Sequence, residues 1–221
     1  MNDEKLVDIA LFPIPECAVF PGTVFPLHVF EPRYRTMVKH CLDNNLPLAV
    51  CHTEKLLHEH QPEQDIREAL QSNQDTYKPY AVFGAGHCKL VDTTTDGRLL
   101  INVLIEKRYE WVEEVQTLPF MIAKCRLYKD KPMSENEHEE ASQLQDKILH
   151  RLMALSGGDP SINDRLASSE WVDMPVEEFS FKLFSVIRMN GDVQQAILEM
   201  QSPRDRLKVS LDTLNQIKQS P

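Results

Sequence analysis

The chain has 221 residues, of which 42% are hydrophobic and 26% are charged, a composition typical of a globular protein and not of a disordered one. Its formal net charge of −10 disfavours general binding to the phosphate backbones of nucleic acids. No stretch approaches the ~18 apolar residues of a membrane span, and residues 1–11 lack the apolar core of a signal peptide. The five cysteines form no C-x-x-C pair, so we expect reduced thiols in a cytoplasmic protein.

Short apolar stretches separated by turn residues predict β-strands at residues 7–12, 24–30 and 46–51. Between the last two, a helix is predicted to begin at Pro32 and to end at Asn44. Its apolar residues recur at helical spacing and predict one buried face, formed by Tyr34, Met37, Val38, Cys41 and Leu42.

The strongest hairpin signal is Asp96–Gly97, which is predicted to join strands at residues 81–92 and 98–107. The second of these strands carries Leu99, Ile101, Val103 and Ile105 on one face and Leu100 and Leu104 on the other. A strand that is apolar on both sides is expected in the middle of a sheet or barrel. A last strand is predicted at residues 120–128.

Residues 54–78 are polar and only weakly periodic, and we interpret them as an excursion from the sheet with one short helix around residues 66–70. His52, His58 and His60 lie in or beside this excursion and could in principle bind a metal. Zinc sites, however, usually present ligand pairs at regular spacing. Solvated polar side chains are the favoured interpretation, so we predict no metal site.

The last third of the chain is helical in pattern. Ser134-x-x-Glu137 is a capping box that predicts the start of a long helix. Three further starts are predicted, at Asp173 and Pro175, at Asp192 and at Ser202. We therefore predict an α+β fold in which a mostly antiparallel β-barrel or curled sheet, residues 1–131, is followed by a helical domain, residues 134–221.

Several catalytic motifs are missing from the sequence. None of the seven glycines is followed by lysine, so the phosphate loop of ATPases is absent. No G-x-S-x-G or H-E-x-x-H motif occurs. Cys88 follows His87, but adjacent residues on a strand point to opposite faces, so a buried cysteine is favoured over a nucleophile. The acidic run at residues 135–140 suits the start of a helix better than a cation site. We predict no catalytic residue and no cofactor.

A long segment near the N-terminus contains three motifs in order: LFPIP at residues 11–15, VFPG at 19–22 and PLHVFEPRYR at 26–35. This segment resembles the signature of the Lon N-terminal (LON, PUA-like) domain. The stretch EMQSPRDRL at residues 199–207 is similar to the helical bundle that follows the barrel in Lon. The resemblance implies a PUA-like barrel that recognises substrates, the recognition half of a Lon protease, and gives no ground to assign proteolysis.

The most specific part of the signature is Glu31, Pro32, Arg33, Tyr34 and Arg35. We expect the two arginines to bond to Glu31 or to neighbouring carbonyls, which is a structural role. Binding of an acidic ligand is the alternative.

A second part of the signature surrounds the Pro21–Gly22 turn. If the turn leaves an aromatic ring exposed, Phe20, Pro21 and Phe25 would form an apolar ledge for peptide segments. The alternative is that both rings lie in the core.

Three functions are open at this point. The first is a non-catalytic module that binds unfolded or misfolded polypeptides in protein quality control, as an adaptor, a decoy or a chaperone-like factor, with an ATP-dependent protease as a further partner. The second is an RNA- or nucleotide-binding PUA-like protein, which the acidity and the lack of interleaved basic and aromatic residues disfavour. The third is an enzyme with an unrecognised cysteine or metal site.

Overall fold

The computed structural model describes residues 5–58 and 76–217. The strands are β1 (Val7–Pro13), β2 (Val24–Val29), β3 (Leu48–Cys51), β4 (Thr53–His58), β5 (Thr76–Pro79), β6 (Val82–Gly86), β7 (Cys88–Thr93), β8 (Leu99–Leu104), β9 (Lys107–Gln116) and β10 (Met121–Leu127). The helices are α1 (Pro32–Asn44), α2 (Glu135–Leu155), α3 (Pro160–Leu166), α4 (Ser169–Val172), α5 (Val176–Lys182), α6 (Gly191–Glu199) and α7 (Pro203–Gln216), with a 3-10 turn at Leu183–Ser185. The predicted α+β class is confirmed.

The chain divides into two compact units. Unit 1 comprises Met1–Tyr128 and Arg188–Leu198, and unit 2 comprises Lys129–Ile187 and Glu199–Pro221. These units differ from the predicted domains because most of α6 belongs with the strands of unit 1. That residues 1–131 and 134–221 are separate folding domains stays a prediction.

Unit 1 contains a closed barrel with the strand order β1-β10-β9-β6-β3. Its neighbouring strands are antiparallel except for β1 and β3, which run parallel and close the barrel. One cluster of buried residues in this barrel is formed by Ile9, Leu11, Ala49, Cys51, Phe83, Ala85, Ala123 and Cys125. Small and large side chains are mixed in this way in small barrels, whose interior is filled by side chains. The expected mostly antiparallel barrel is confirmed.

A second sheet in unit 1 has the order β2-β8-β7, so the predicted central place of β8 is confirmed. The inner face of this sheet and the apolar face of α1 contribute to one core cluster, which includes Met37, Val38, Ile101 and Val103. On α1 the predicted buried face is correct for Tyr34, Met37, Val38 and Cys41. Leu42 is 39% exposed.

The predicted strand at residues 81–92 is wrong, because the structure divides it into β6 and β7, which belong to different sheets. The chain passes close to β8 where it changes sheet. A Cβ atom on Gly86 would lie 1.8 Å from the carbonyl oxygen of Leu104, so only glycine permits this approach. The predicted strand at residues 98–107 also ends earlier, at Leu104.

Strand β9 has 10 residues and no counterpart in the predicted elements. Two residues of β9, Val112 and Val115, have no partner in its register with β10, which marks a β-bulge at each. An extra residue reverses the face on which the following side chains lie. The two bulges therefore remove the alternation by which a strand is recognised in a sequence.

The predicted helix starts are correct at Ser134 and Ser202. The Ser134 hydroxyl accepts a hydrogen bond from the Glu137 N–H, and the Glu137 carboxylate accepts one from the Ser134 N–H. Ser202 accepts a hydrogen bond from the Asp205 N–H. The predicted start at Asp192 is wrong, because the Asn190 side chain accepts from the Asp192 N–H and α6 begins at Gly191.

Helix α5 begins at Val176, directly after the predicted Pro175. Helices α3 and α4 have no counterpart in the prediction. Within the described ranges, no helix is both long enough and apolar enough to span a membrane. The short helix predicted around residues 66–70 lies outside the described residues.

Candidate functional site

The signature residues 31–35 form the start of α1. Pro32 occupies the first turn, where its missing N–H leaves no bond unmade. The Arg33 Nε donates to the Glu31 carboxylate at 3.0 Å, and its guanidinium carbon lies 4.6 Å from the centroid of the Tyr34 ring. The Arg35 Nη1 donates to the Gly97 carbonyl at 3.2 Å. Burial raises the pKa of Tyr34 to about 12. Both arginines thus make the contacts that a structural role requires.

The Pro21–Gly22 turn is fixed to the chain that follows β8. The Gly22 N–H donates to the Ile105 carbonyl at 2.8 Å, and the Ile105 N–H donates to the Thr23 carbonyl at 2.9 Å. Gly22 has a φ of 77°, a conformation that favours glycine. Phe20 is 1% exposed. Phe20 is therefore a core residue, and the expectation that its ring contributes to an exposed ledge is wrong.

Phe25 and Pro21 are each half-buried. Phe25 is paired with Val103 on the face of β2 that points into the core, and it packs against the core cluster. Of the three predicted ledge residues, the structure therefore places only Pro21 and the outer part of Phe25 at the surface. Their role in peptide binding stays a prediction.

The opposite face of β2 and β8 carries an apolar surface that is not marked by any motif in the sequence. Val24 is 57% exposed and Leu104 is 46% exposed, and the two are directly paired across the strands. Pro26, two residues after Val24 on the same face, is also exposed. We call Val24, Pro26 and Leu104 the β2–β8 patch. Leu104 is exposed although β8 is the central strand of its sheet, because a central strand can still have one face open to water.

A second set of exposed apolar side chains lies on the β9–β10 hairpin. Val112 and Val115, the two bulge residues, are 46% and 49% exposed, and Leu118 is 81% exposed. The acidic pair Glu113 and Glu114 lies between the two valines. This hairpin offers valines of similar exposure outside the β2–β8 patch, which makes them suitable for control substitutions.

The histidines weighed as metal ligands are only partly described. The His52 side chain is 3% exposed, its Nε2 lies 3.1 Å from an Asp192 carboxylate oxygen, and its ring stacks on Tyr80 at 5.2 Å between centroids. His60 and the side chain of His58 lie outside the described part. Among the side chains that are described, no group of three or more His, Cys, Asp or Glu residues could hold a metal ion.

The cysteines are free thiols, and Cys17 is half-buried while the other four are buried. Burial raises the pKa of Cys88 and raises that of Cys17 to about 11. Both are therefore thiols at neutral pH, and the thiolate is the nucleophilic form. His87, the residue weighed as a base for Cys88, instead has its Nδ1 2.9 Å from the Glu106 carboxylate. The geometry gives no support to a cysteine nucleophile.

Residues 8–216 match the family model described as the ATP-dependent protease La (LON) substrate-binding domain. The chain belongs to this family. Comparison with curated protein sequences finds no match. Among solved structures, the LON chain is similar to the N-terminal domain of the Mycobacterium avium complex Lon protease, with 11% identity, a TM-score of 0.68, and coverage of 96% of this chain and 100% of that one.

A second similar structure is a Lon N-terminal domain protein from Xanthomonas campestris. It has 16% identity and a TM-score of 0.53, and the match covers 96% of the LON chain and 99% of that chain. At these identities the likeness shows the fold, and that fold agrees with the resemblance found in the signature residues. The family match, residues 8–216, includes residues of both units.

Proposed function

We propose that this chain is a non-catalytic module that binds apolar segments of unfolded or misfolded polypeptides. Membership of a substrate-binding family supports a binding role. The observation that carries the site is the β2–β8 patch, in which Val24 and Leu104 are exposed and directly opposite one another. A polypeptide that binds there would bury this exposed apolar surface, and burial of apolar area stabilises a complex.

Pro21 extends this surface at the adjoining turn. The turn is held by backbone hydrogen bonds to Ile105, so the patch is pre-formed and a bound segment does not have to order it. An extended apolar segment of a client would lie across β2 and β8. Folded proteins bury such segments, so the module would prefer unfolded chains.

The proposal also includes the cellular role of the module. The module would act in the cytoplasm as an adaptor or a chaperone-like factor that presents clients to an ATP-dependent protease. The absence of a phosphate loop from the sequence supports the part of the proposal that excludes ATP turnover by this chain.

The test uses Val24→Ser combined with Leu104→Ser, and the probe is a labelled globular protein that has been reduced and alkylated so that it stays unfolded. The parent protein should bind this probe in the micromolar range, where ~8 kcal/mol of binding free energy suffices. The patch variant should bind at least about fivefold more weakly, a loss of ~1 kcal/mol. Moderate salt should change the affinity little, because apolar contact is not screened.

The matched control is Val112→Ser combined with Val115→Ser, which removes exposed apolar area of unit 1 outside the patch. This control should keep the affinity of the parent. Equal losses in both variants, or equal binding of the native and the unfolded probe, would remove the β2–β8 patch from the proposal. Salt-sensitive binding of a short RNA, measured in the same assay, would instead support the RNA-binding alternative.

A further inference from the structure

Asn190 and Gly191 form the only asparagine–glycine pair in the chain. In such a pair the main-chain nitrogen of the glycine can attack the side-chain amide carbon of the asparagine, because glycine has no Cβ atom that hinders the approach. Asn190 is exposed, so water can reach its amide. The pair lies where the chain enters α6, which begins at Gly191. A change in its chemistry therefore acts on the helix that is attached to the strands of unit 1.

Hydrogen bonds at the start of α6 hold the two reacting groups in place. The Asn190 Oδ1 accepts from the Asp192 N–H at 2.9 Å, and the Asn190 carbonyl accepts from the Gln194 N–H at 3.0 Å. This is the arrangement of a helix N-cap, whose backbone is extended. The Gly191 N–H donates to the Glu16 carboxylate at 3.2 Å. Attack requires the Gly191 nitrogen to turn onto the Asn190 side-chain carbon, and this rotation breaks all three bonds. The reaction therefore requires the start of α6 to open.

The space around Gly191 leaves no room for a longer main chain. A Cβ atom at this position would lie 2.7 Å from the Glu16 Cα and 2.8 Å from the Glu16 Oε2. Further along α6, the Gln195 Nε2 donates to the Val82 carbonyl at 2.9 Å. These contacts fix the helix on the strands at a set distance from Asn190. One extra atom in the main chain at Asn190 would bring α6 out of register with both contacts.

We propose that Asn190–Gly191 is a modification site at which spontaneous deamidation makes a transient opening of α6 permanent. The Gly191 nitrogen loses its proton to hydroxide and bonds to the Asn190 side-chain carbon. The bond from that carbon to the amide nitrogen breaks, and the amide nitrogen takes a proton from water and leaves as ammonia. Water then opens the cyclic imide. Addition at the side-chain carbonyl gives aspartate, and addition at the main-chain carbonyl gives isoaspartate, whose main chain is longer by one methylene carbon.

The two products differ in their effect on α6. Aspartate is as good an N-cap as asparagine, so the helix returns to its place. Isoaspartate adds the main-chain atom for which the packing of Gly191 on Glu16 has no room, so the start of the helix stays detached. The proposal does not rest on the binding function proposed above, because none of these residues belongs to the β2–β8 patch.

The test follows deamidation of the full chain at mildly alkaline pH, well below its melting temperature. Trypsin releases residues 189–204 as one peptide, in which mass spectrometry quantifies deamidation at Asn190. Gln195→Ala removes one bond that holds α6 and should speed the reaction about fivefold, since the loss of a hydrogen bond of ~1 kcal/mol favours opening by that factor. Val193→Ala is the matched control on the same helix, because Val193 is 37% exposed and its side chain forms no hydrogen bond. Its rate should stay within about twofold of the rate of the parent.

A second measurement tests the consequence for α6. The isoaspartate form is purified from aged protein, and its amide hydrogen exchange is compared with that of fresh protein. Residues 192–198 should lose protection in the isoaspartate form. Aged Asn190→Ser should keep the protection of fresh protein, because serine retains an N-cap side chain and has no amide to lose.

Three results would overturn the proposal. They are a deamidation rate in the folded parent equal to that of the urea-unfolded chain, equal rates in Gln195→Ala and Val193→Ala, and full protection of α6 in the isoaspartate form. Thermal melting verifies that the variants are folded. If Gln195→Ala melts early, the parent in dilute urea, below its unfolding transition, repeats the test. A rate that does not rise with urea would overturn the proposal as well.

Discussion

The barrel interior of unit 1 and the helical core of unit 2 both contain buried apolar residues, but they differ in what else they bury. The buried cluster inside the barrel consists of apolar side chains such as Ile9, Leu11 and Phe83. In unit 2 the helices surround the guanidinium of Arg206, which is 0% exposed and bonds to both carboxylate oxygens of Asp130 and to the Ser180 hydroxyl. The barrel cluster is therefore apolar throughout, whereas the apolar core of unit 2 also contains one buried ionic network.

Unit 1 also contains buried polar groups, and these include the contacts that attach α6 to the strands. Gln195 donates to the Val82 carbonyl at 2.9 Å, and Arg108 donates to the Leu198 carbonyl. The partners in these two bonds are 113 and 90 positions apart in the sequence. These polar contacts therefore help to set where α6 lies, together with its buried Ile197 and Leu198.

The largest expected effect comes from breaking the ionic network of unit 2. Arg206→Met should lower the free energy of unfolding by about 3–5 kcal/mol, because it leaves the Asp130 carboxylate without its buried partner. Arg204→Met removes a half-exposed arginine of the same helix and should change the stability far less, because water screens its ion pairs. Urea denaturation of the two variants measures the difference. Equal midpoints would show that unit 2 is held by apolar packing, as the barrel is.

The attachment of α6 is the next most sensitive point. Gly191 starts this helix, and a Cβ atom there would lie 2.7 Å from the Cα of Glu16. Gly191→Ala should therefore cost about 1–3 kcal/mol, the usual range for overpacking. Val193→Ala on the same helix is the control, since Val193 is 37% exposed and alanine is well tolerated in helices. If amide hydrogen exchange of residues 191–198 is unaltered in Gly191→Ala, the close contact with Glu16 does not hold the helix.

The elements predicted correctly are those with a local signal. The Pro32 start, the apolar face of α1, the Asp96–Gly97 turn and the capping box at Ser134 each depend on residues a few positions apart. Strand β9 has no such signal, because its bulges break the alternation and its fully buried side chain is Arg108. The position of α6 depends on partners far away in the sequence, which a pattern within one helix does not contain.

The candidate site shows the same difference between what a local sequence pattern predicts and what depends on distant residues. The sequence indicates an apolar turn at Pro21–Gly22, and the structure has a turn there, but the exposure of each ring depends on what packs above it. Phe20 lies in the core, while Val24 and Leu104 are exposed because they are paired on the outer face of the sheet. Alternation alone places Leu104 on the second face of β8. It does not tell whether that face is covered.

The smallest expected effect is at the start of α2, where the stabilising contact is local and lies at the surface. The Ser134 hydroxyl accepts from the Glu137 N–H, and the Glu137 carboxylate accepts from the Ser134 N–H at 2.9 Å. Ser134→Ala should cost about 1 kcal/mol, whereas Ser134→Asn should keep most of the stability because asparagine is an equally good cap.

Hydrogen bonds from the Ser134 backbone and side chain lower the pKa of Glu137. The carboxylate therefore stabilises the folded state above its unfolded pKa, and this contribution is lost as the pH falls through the folded value. Denaturation at neutral pH should separate Glu137→Gln from the parent, and the two should converge in acid. A difference that persists unchanged in acid would mean that the charge of Glu137 does not contribute to the cap.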